Sequence, residues 1–281
     1  MNFQTIQINP LDSNVEKFVK KNLNLIPPES YAKMNTGELD KLYIQVINSF
    51  AETKTKNFTK EIILSIRATQ MRTHMILHHK NLTINKNKII TDYNNGINIL
   101  ELSKKYDGSP LNLLRIIFQS KYNTKLTKLI KHTKLLSKHD STQLNIAINN
   151  DAYALVNQDE VLKKADEFEK SIEIILKKLK IKYKTQKELA VEQTKESDKP
   201  SNTPDFLILD DLYINGKKIN WIDAKNFYGS NSKFIKLKII KQTKKYIDKW
   251  GFGSIIFNLG FCSDLSFESI LLIDYDSFKT I

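Results

Sequence analysis

The sequence predicts an α + α/β protein, a helical N-terminal half followed by a mixed α/β domain. Three observations carry this. Up to about residue 85, apolar side chains recur three and four apart, the period of amphipathic helices. From Asp166 onward the texture changes to short apolar runs, with Asn215-Gly216, a favoured type I′ turn pair, between the first two. The 281 residues are 41% apolar with 8 Gly and 6 Pro, enough for a packed core and unlike a collagen-like or Pro-rich chain.

The helical half spans residues 1–122. Val15 to Leu25, Leu39 to Glu52 and Phe58 to Leu77 read as helices, with Pro27-Pro28 separating the first two. Residues 86–122 are more specific. Lys88 to Tyr93, Ile97 to Tyr106 and Leu111 to Ser120 read as short helices. Asp107-Gly108-Ser109-Pro110 forms a turn in which Ser109 caps the last helix and Pro110 opens it. The last two helices resemble a helix-turn-helix, with Leu113, Leu114, Ile117 and Phe118 inward. Asn112, Arg115 and Gln119 share the polar face of the second, where they suit base edges or phosphates; an ordinary helical hairpin is the alternative.

Residues 123–165 are basic, then polar, and read as a connecting helical segment. In 166–281, Asp166 to Lys178 is a helix with Phe168, Ile172, Ile175, Leu176 and Leu179 on one stripe. Thr185 to Asn202 reads as a charged loop. Phe206 to Leu209, Ile219 to Ala224, Ser254 to Leu259 and Ile270 to Ile273 read as strands, the first two forming a hairpin through Asn215-Gly216. Ser232 to Trp250 is an amphipathic helix with Ile239, Ile240, Thr243, Ile247 and Trp250 inward. It carries seven lysines against one acid, Asp248, a face that suits phosphates.

Lys and Arg outnumber Asp and Glu by 44 to 31, a net charge of +13, which favours a polyanionic partner such as nucleic acid. A single cysteine, Cys262, excludes a disulfide framework and a Cys-based zinc module and fits a reducing compartment. No apolar run approaches the ~18 residues of a membrane span. Met1 to Asn14 lacks the features of a signal peptide. The expectation is a soluble intracellular protein with no membrane partner.

The chemistry concentrates in the expected hairpin. Asp205 opens its first strand, and Asp223-Ala224-Lys225 closes its second. Folding back brings both carboxylates to one sheet edge, and the strand period of two puts Asp223 and Lys225 on one face. Two hard oxygen donors suit Mg²⁺ or Mn²⁺, and a lysine beside them can orient or deprotonate water and neutralise phosphate charge. Only one other acid-x-Lys triplet exists, Glu52-Thr53-Lys54, and it lacks a partner carboxylate. His74 and His78 share a helical face at i, i+4, but no neighbouring Cys or carboxylate completes a metal site, so partly buried or phosphate-contacting histidines are the expectation.

Asp205, Asp223 and Lys225 resemble the PD-(D/E)XK nuclease motif. Thr203-Pro204-Asp205-Phe206-Leu207 with Ile219 to Lys225 resemble more narrowly the codanin-interacting nuclease family, with its TPD motif. The resemblance implies a restriction-endonuclease-like C-terminal domain, a helix-turn-helix-bearing N-terminal half, divalent-metal-dependent cleavage of nucleic acid, and a codanin-like protein partner. DNA is favoured over RNA as the substrate, and the compartment is nuclear or cytoplasmic in a eukaryote. Metal ligands would be Asp205, Asp223 and, from Glu167-Phe168-Glu169, Glu169, with Glu167 and Glu173 as rivals. Lys225 would be catalytic, and Gln242 and Tyr246 would contact substrate. Thr73-His74 and His78-His79 resemble a further family stretch at a spacing longer by one. Asp223 stands where relatives often carry Glu, and Asp198 to Asn202 replace their Gly-Tyr-x-Lys lead-in. The rival readings are a non-catalytic module that binds DNA or a partner, and a helix-turn-helix regulator.

Overall fold

In the computed structural model, residues 2–153, 158–196 and 203–281 are described. Their elements follow in the order β1 (Asn2–Gln4), α1 (Ser13–Asn22), α2 (Thr36–Ser49), α3 (Glu52–Thr55), α4 (Lys60–Ile84), α5 (Lys86–Asn94), α6 (Ile99–Tyr106), α7 (Pro110–Tyr122), α8 (Leu126–Lys131), α9 (Lys138–Asn149), α10 (Gln158–Lys178), β2 (Tyr183–Thr185), α11 (Gln186–Glu196), β3 (Phe206–Ile208), β4 (Leu212–Ile214), β5 (Lys217–Lys218), β6 (Trp221–Lys225), α12 (Lys233–Trp250), β7 (Gly253–Phe257), β8 (Ile270–Asp274) and α13 (Tyr275–Phe278). The architecture is mixed α/β. It separates into two compact units, residues 1–21, 42–66 and 159–281 in the first and 22–41 with 67–158 in the second. The linear division expected at 122 and 165 is not the one the fold adopts, because early segments of the chain contribute to the first unit.

The main sheet of the first unit has the order β2-β3-β6-β7-β8. Its last three strands are parallel, so the chain between β6 and β7 must cross over, and α12 is that crossover. β3 runs antiparallel to β6, with Phe206 opposite Ile222 and Leu207 opposite Trp221. The expected pairing of the first two apolar runs therefore exists, but Asn215-Gly216 does not close it. With φ of 48° and 73°, these residues turn β4 back onto β5. That small hairpin joins β1 in a second sheet, β1 lying parallel to β4. A strand at Asn2–Gln4 had no readable signal, because three residues show no period.

The core of this unit packs Phe168, Ile172 and Leu176 of α10 against Phe206, Ile222, Ile256 and Ile273 of the sheet. α10 begins at Gln158, ahead of the expected Asp166. α1 is fastened by Glu16, a buried carboxylate that accepts from Tyr228 Oη (3.1 Å), Ser230 Oγ (2.7 Å) and the Asn231 amide (3.1 Å) and pairs with Lys20. α12 is capped by Ser232 and buries Ile235, Ile239, Thr243 and Tyr246. Ile240, expected inward, is 49% exposed, because the buried stripe runs through Tyr246 instead. Most of the α12 lysines face outward. Of the expected loop 185–202, Thr185 ends β2, residues 186–196 are helical, and 197–202, including the Asp198 to Asn202 lead-in, lie outside the described residues.

In the second unit, α6 is capped by an Asn98–Glu101 capping box, and Ser109 Oγ accepts from the Asn112 amide at the start of α7, with Pro110 at the first position. Leu113, Leu114, Ile117 and Phe118 are buried as expected. Leu126 and Leu129 of α8 and Leu144 and Ala147 of α9 join the same core. Residues 126–149 are thus part of this unit's core and not a connecting segment: their weak apolar period is a narrow buried stripe. Among the described residues, no helix is long and apolar enough to cross a membrane.

Candidate active site

The site forms where β3 and β6 end side by side. Continuing their antiparallel register one step past Phe206 and Ile222 puts Asp205 opposite Asp223. Asp205 Oδ2 accepts from the Ala224 amide at 2.7 Å. Asp223 is fully buried, and its Oδ2 lies against the Lys225 ammonium. That oxygen takes no hydrogen bond of ordinary alignment. Gln242 of α12 bridges the pair: its Oε1 accepts from Lys225 Nζ at 3.0 Å and its Nε2 donates to Asp223 Oδ1 at 3.1 Å. The structure therefore brings Asp205, Asp223, Lys225 and Gln242 together.

The TPD triplet itself has a physical reading. Pro204 is buried. Thr203 offers its carbonyl to Tyr246 Oη at 3.1 Å and to Gln186 Nε2 at 3.3 Å, and the Asp205 carbonyl accepts from the Gln186 amide at 3.0 Å. The backbone on both sides of Pro204 is thereby fixed, and the Asp205 carboxylate is aimed at β6. Tyr246 is 5% exposed. Tyr246 and Gln242, the expected substrate contacts, place their polar groups within the site, one on the Thr203 carbonyl and the other on Asp223 and Lys225.

Electrostatics follow from crowding. Burial first, and then the Asp223 charge, hold the Asp205 carboxyl well above the usual carboxylate range, against the pull of Lys225 and the Ala224 amide. Burial opposes a charged Lys225, but Asp223, Asp205 and Glu169 outweigh it, and its pKa is raised. Glu169 on α10 is half-buried. Its pKa is raised by burial, then by Asp166 and Asp223, so it lies close enough to feel the cluster. Its rivals are placed elsewhere: Glu167 is exposed, and Glu173 binds Tyr183 and Lys177, each at 2.8 Å. The oxygens of Asp205, Asp223 and Glu169 do not all gather within 4.8 Å of one another. The two aspartates form a close pair, with Glu169 at its margin.

In the second unit, Arg115 and Gln119 are exposed on α7 and Asn112 is half-buried. His74 and His78 are not without a carboxylate, as the sequence had suggested. Asp107 lies against both, at 2.8 Å and 3.1 Å. Asp107 is 29 residues beyond His78, in a stretch legible only as a turn, so no local spacing announces it.

A family described as "Protein of unknown function TPD sequence-motif" matches residues 136–276. The chain belongs to this TPD family. Its matched span covers α10, both ends of the β3–β6 pair and α12, and so contains Glu169, Asp205, Asp223, Lys225, Gln242 and Tyr246. An uncharacterised protein of Acanthamoeba polyphaga mimivirus is 24% identical to this TPD protein over 278 residues, covering 92% of this chain and 95% of the viral one. No solved structure matches.

Proposed function

We propose that this TPD protein is a divalent-metal-dependent phosphodiester hydrolase of the PD-(D/E)XK type. It acts on nucleic acid, DNA in preference to RNA, and is akin to the codanin-interacting nuclease. The observation that supports this is the buried Asp223–Lys225–Gln242 network with Asp205 on its edge. A carboxylate whose pKa is driven up by burial and by a second carboxylate beside it is costly to a fold, and such arrangements concentrate where chemistry is done.

The donor set fits Mg²⁺ or Mn²⁺. Hard oxygens converge from two strands, Asp223 Oδ2 lacks an aligned donor, and a cation would relieve the repulsion felt by Asp205. Asp205 and Asp223 would hold the ion, with Glu169 alongside. Once bound, it supplies Lewis-acid polarisation of the phosphoryl group and a more acidic water. Lys225, with its pKa raised, stays protonated at neutral pH. Held between Gln242 Oε1 and Asp223, its ammonium is placed to orient water and offset phosphate charge. Gln242 is a positioning residue for Lys225 and Asp223, and Tyr246 for the TPD backbone. The exposed α12 lysines and Arg115 suit phosphate contacts.

The test is a cleavage assay on labelled single-stranded, double-stranded and flap DNA and on RNA, with Mg²⁺, Mn²⁺ or EDTA. Metal-dependent cutting is expected to drop by about 10²-fold or more in Asp223→Ala and in Lys225→Ala. Folding of each variant is checked by circular dichroism. Absence of cutting on every substrate, with binding retained in both variants, would favour a non-catalytic module that holds nucleic acid or a codanin-like partner.

A further inference from the structure

We propose that His74, His78 and Asp107 bind a borderline divalent transition ion of the Zn²⁺ class. The two histidines stand one turn apart on α4, and their rings stack with centroids 3.9 Å apart. Asp107 ends α6 in the left-handed conformation, φ 48°. Its Oδ1 lies 2.8 Å from His74 Nε2 and its Oδ2 3.1 Å from His78 Nδ1. All three ligand atoms lie within 4.8 Å of one another, and no other trio of His, Cys and carboxylates does so among the described residues. A tetrahedral ion with bonds of about 2.0–2.1 Å keeps its ligand atoms about 3.3 Å apart. The Asp107 oxygens stand 2.8 Å and 3.1 Å from the two ring nitrogens, near that spacing.

A simple ion pair accounts for His74 but not for His78. His78 Nδ1 is shut from solvent and close to Asp107, yet it is out of line for a hydrogen bond. A shared cation would give all three ligand atoms one target. Two imidazole nitrogens with one carboxylate select Zn²⁺, Co²⁺ or Ni²⁺ over Mg²⁺ or Ca²⁺. The three side chains are 30–35% exposed, which leaves a coordination position open to water. Asp107 lies in the turn between α6 and α7, so the ion would fasten the helix-turn-helix-like pair to α4. This site has softer donors than the acidic cluster and lies in the other unit.

The experiment uses the full chain, stripped of metal by chelator and dialysed against Zn²⁺ with Mg²⁺ in excess. One Zn²⁺ retained per chain is expected, together with a visible Co²⁺ absorption band typical of low coordination number and a Zn²⁺-dependent rise in Tm. Asp107→Asn, which tolerates the left-handed backbone, should weaken Zn²⁺ binding by more than about tenfold. The His74→Gln/His78→Gln double variant should abolish it, and Asp205→Asn/Asp223→Asn should retain it whether or not the chain cleaves nucleic acid. No Zn²⁺ retained by folded wild type, or equal affinity in the double His variant with an unchanged circular dichroism spectrum, would overturn the proposal.

Discussion

Asp140 illustrates how single residues set stability here. It is fully buried on α9 and accepts from Tyr93 Oη at 2.7 Å, Lys121 Nζ at 2.6 Å, Ser137 Oγ at 2.8 Å and Tyr122 Oη. Burial pushes its pKa up, but Lys121 and the three hydroxyls outweigh that and hold it at about 2. An unfolded aspartate titrates near 3.9. The native state thus favours the ionised form, and the network's contribution is complete above about pH 4 and lost as pH falls towards 2. Asp140→Asn is expected to cost about 2–3 kcal/mol at pH 7 and to flatten the loss between pH 4 and 2, read by urea unfolding. Parallel pH profiles of the two proteins would contradict this. Residues of this kind were illegible in the sequence, since Tyr93, Lys121 and Asp140 meet only through tertiary packing. Asp205, Asp223 and Lys225 were legible, because strand alternation and antiparallel return are local rules. Asp107 was not, because its meeting with His74 and His78 depends on how α4 and α6 pack.

Among elements, β6 and β7 depend on one glycine. A Cβ at Gly253 would stand 2.1 Å from the Trp221 ring, whose Nε1 donates to the Gly251 carbonyl at 2.9 Å. The ring is fully buried and cannot swing away. Gly253→Ala is expected to destabilise by about 3 kcal/mol, at the upper end for overpacking. A thermal midpoint matching wild type would refute the packing argument. The strands and α12 were legible because each carries a clear period. α11 was missed because its face is narrow and polar, with Leu189 its buried apolar residue among those described. A signal was present nonetheless. Thr185 and Glu188 form a capping-box pair, with the Thr185 amide donating to Glu188 Oε2 at 2.7 Å and the Glu188 amide to Thr185 Oγ1 at 3.4 Å. The hairpin was placed one turn too wide, since the Asn-Gly rule identifies a turn but not which strands lie beyond it.

For the whole molecule, the division into units predicts what can be cut away. A fragment of residues 166–281 would lose Ile6 from its core, β1 from its second sheet and Glu16 from Tyr228 and Ser230. It is expected to be unfolded or aggregated, and the full chain to give a dispersed amide NMR spectrum. A well-folded fragment would show those N-terminal contacts to be dispensable. β1 also sets an order of events on the ribosome. Asn2–Gln4 pair with Leu212–Ile214, which emerge, at about 5–20 residues per second, some 10–40 s later. The second unit's core, drawn from Leu82 to Ala147, is fully synthesised within that wait. β1 must therefore wait unpaired until β4 has been made, while the core of the second unit can already form.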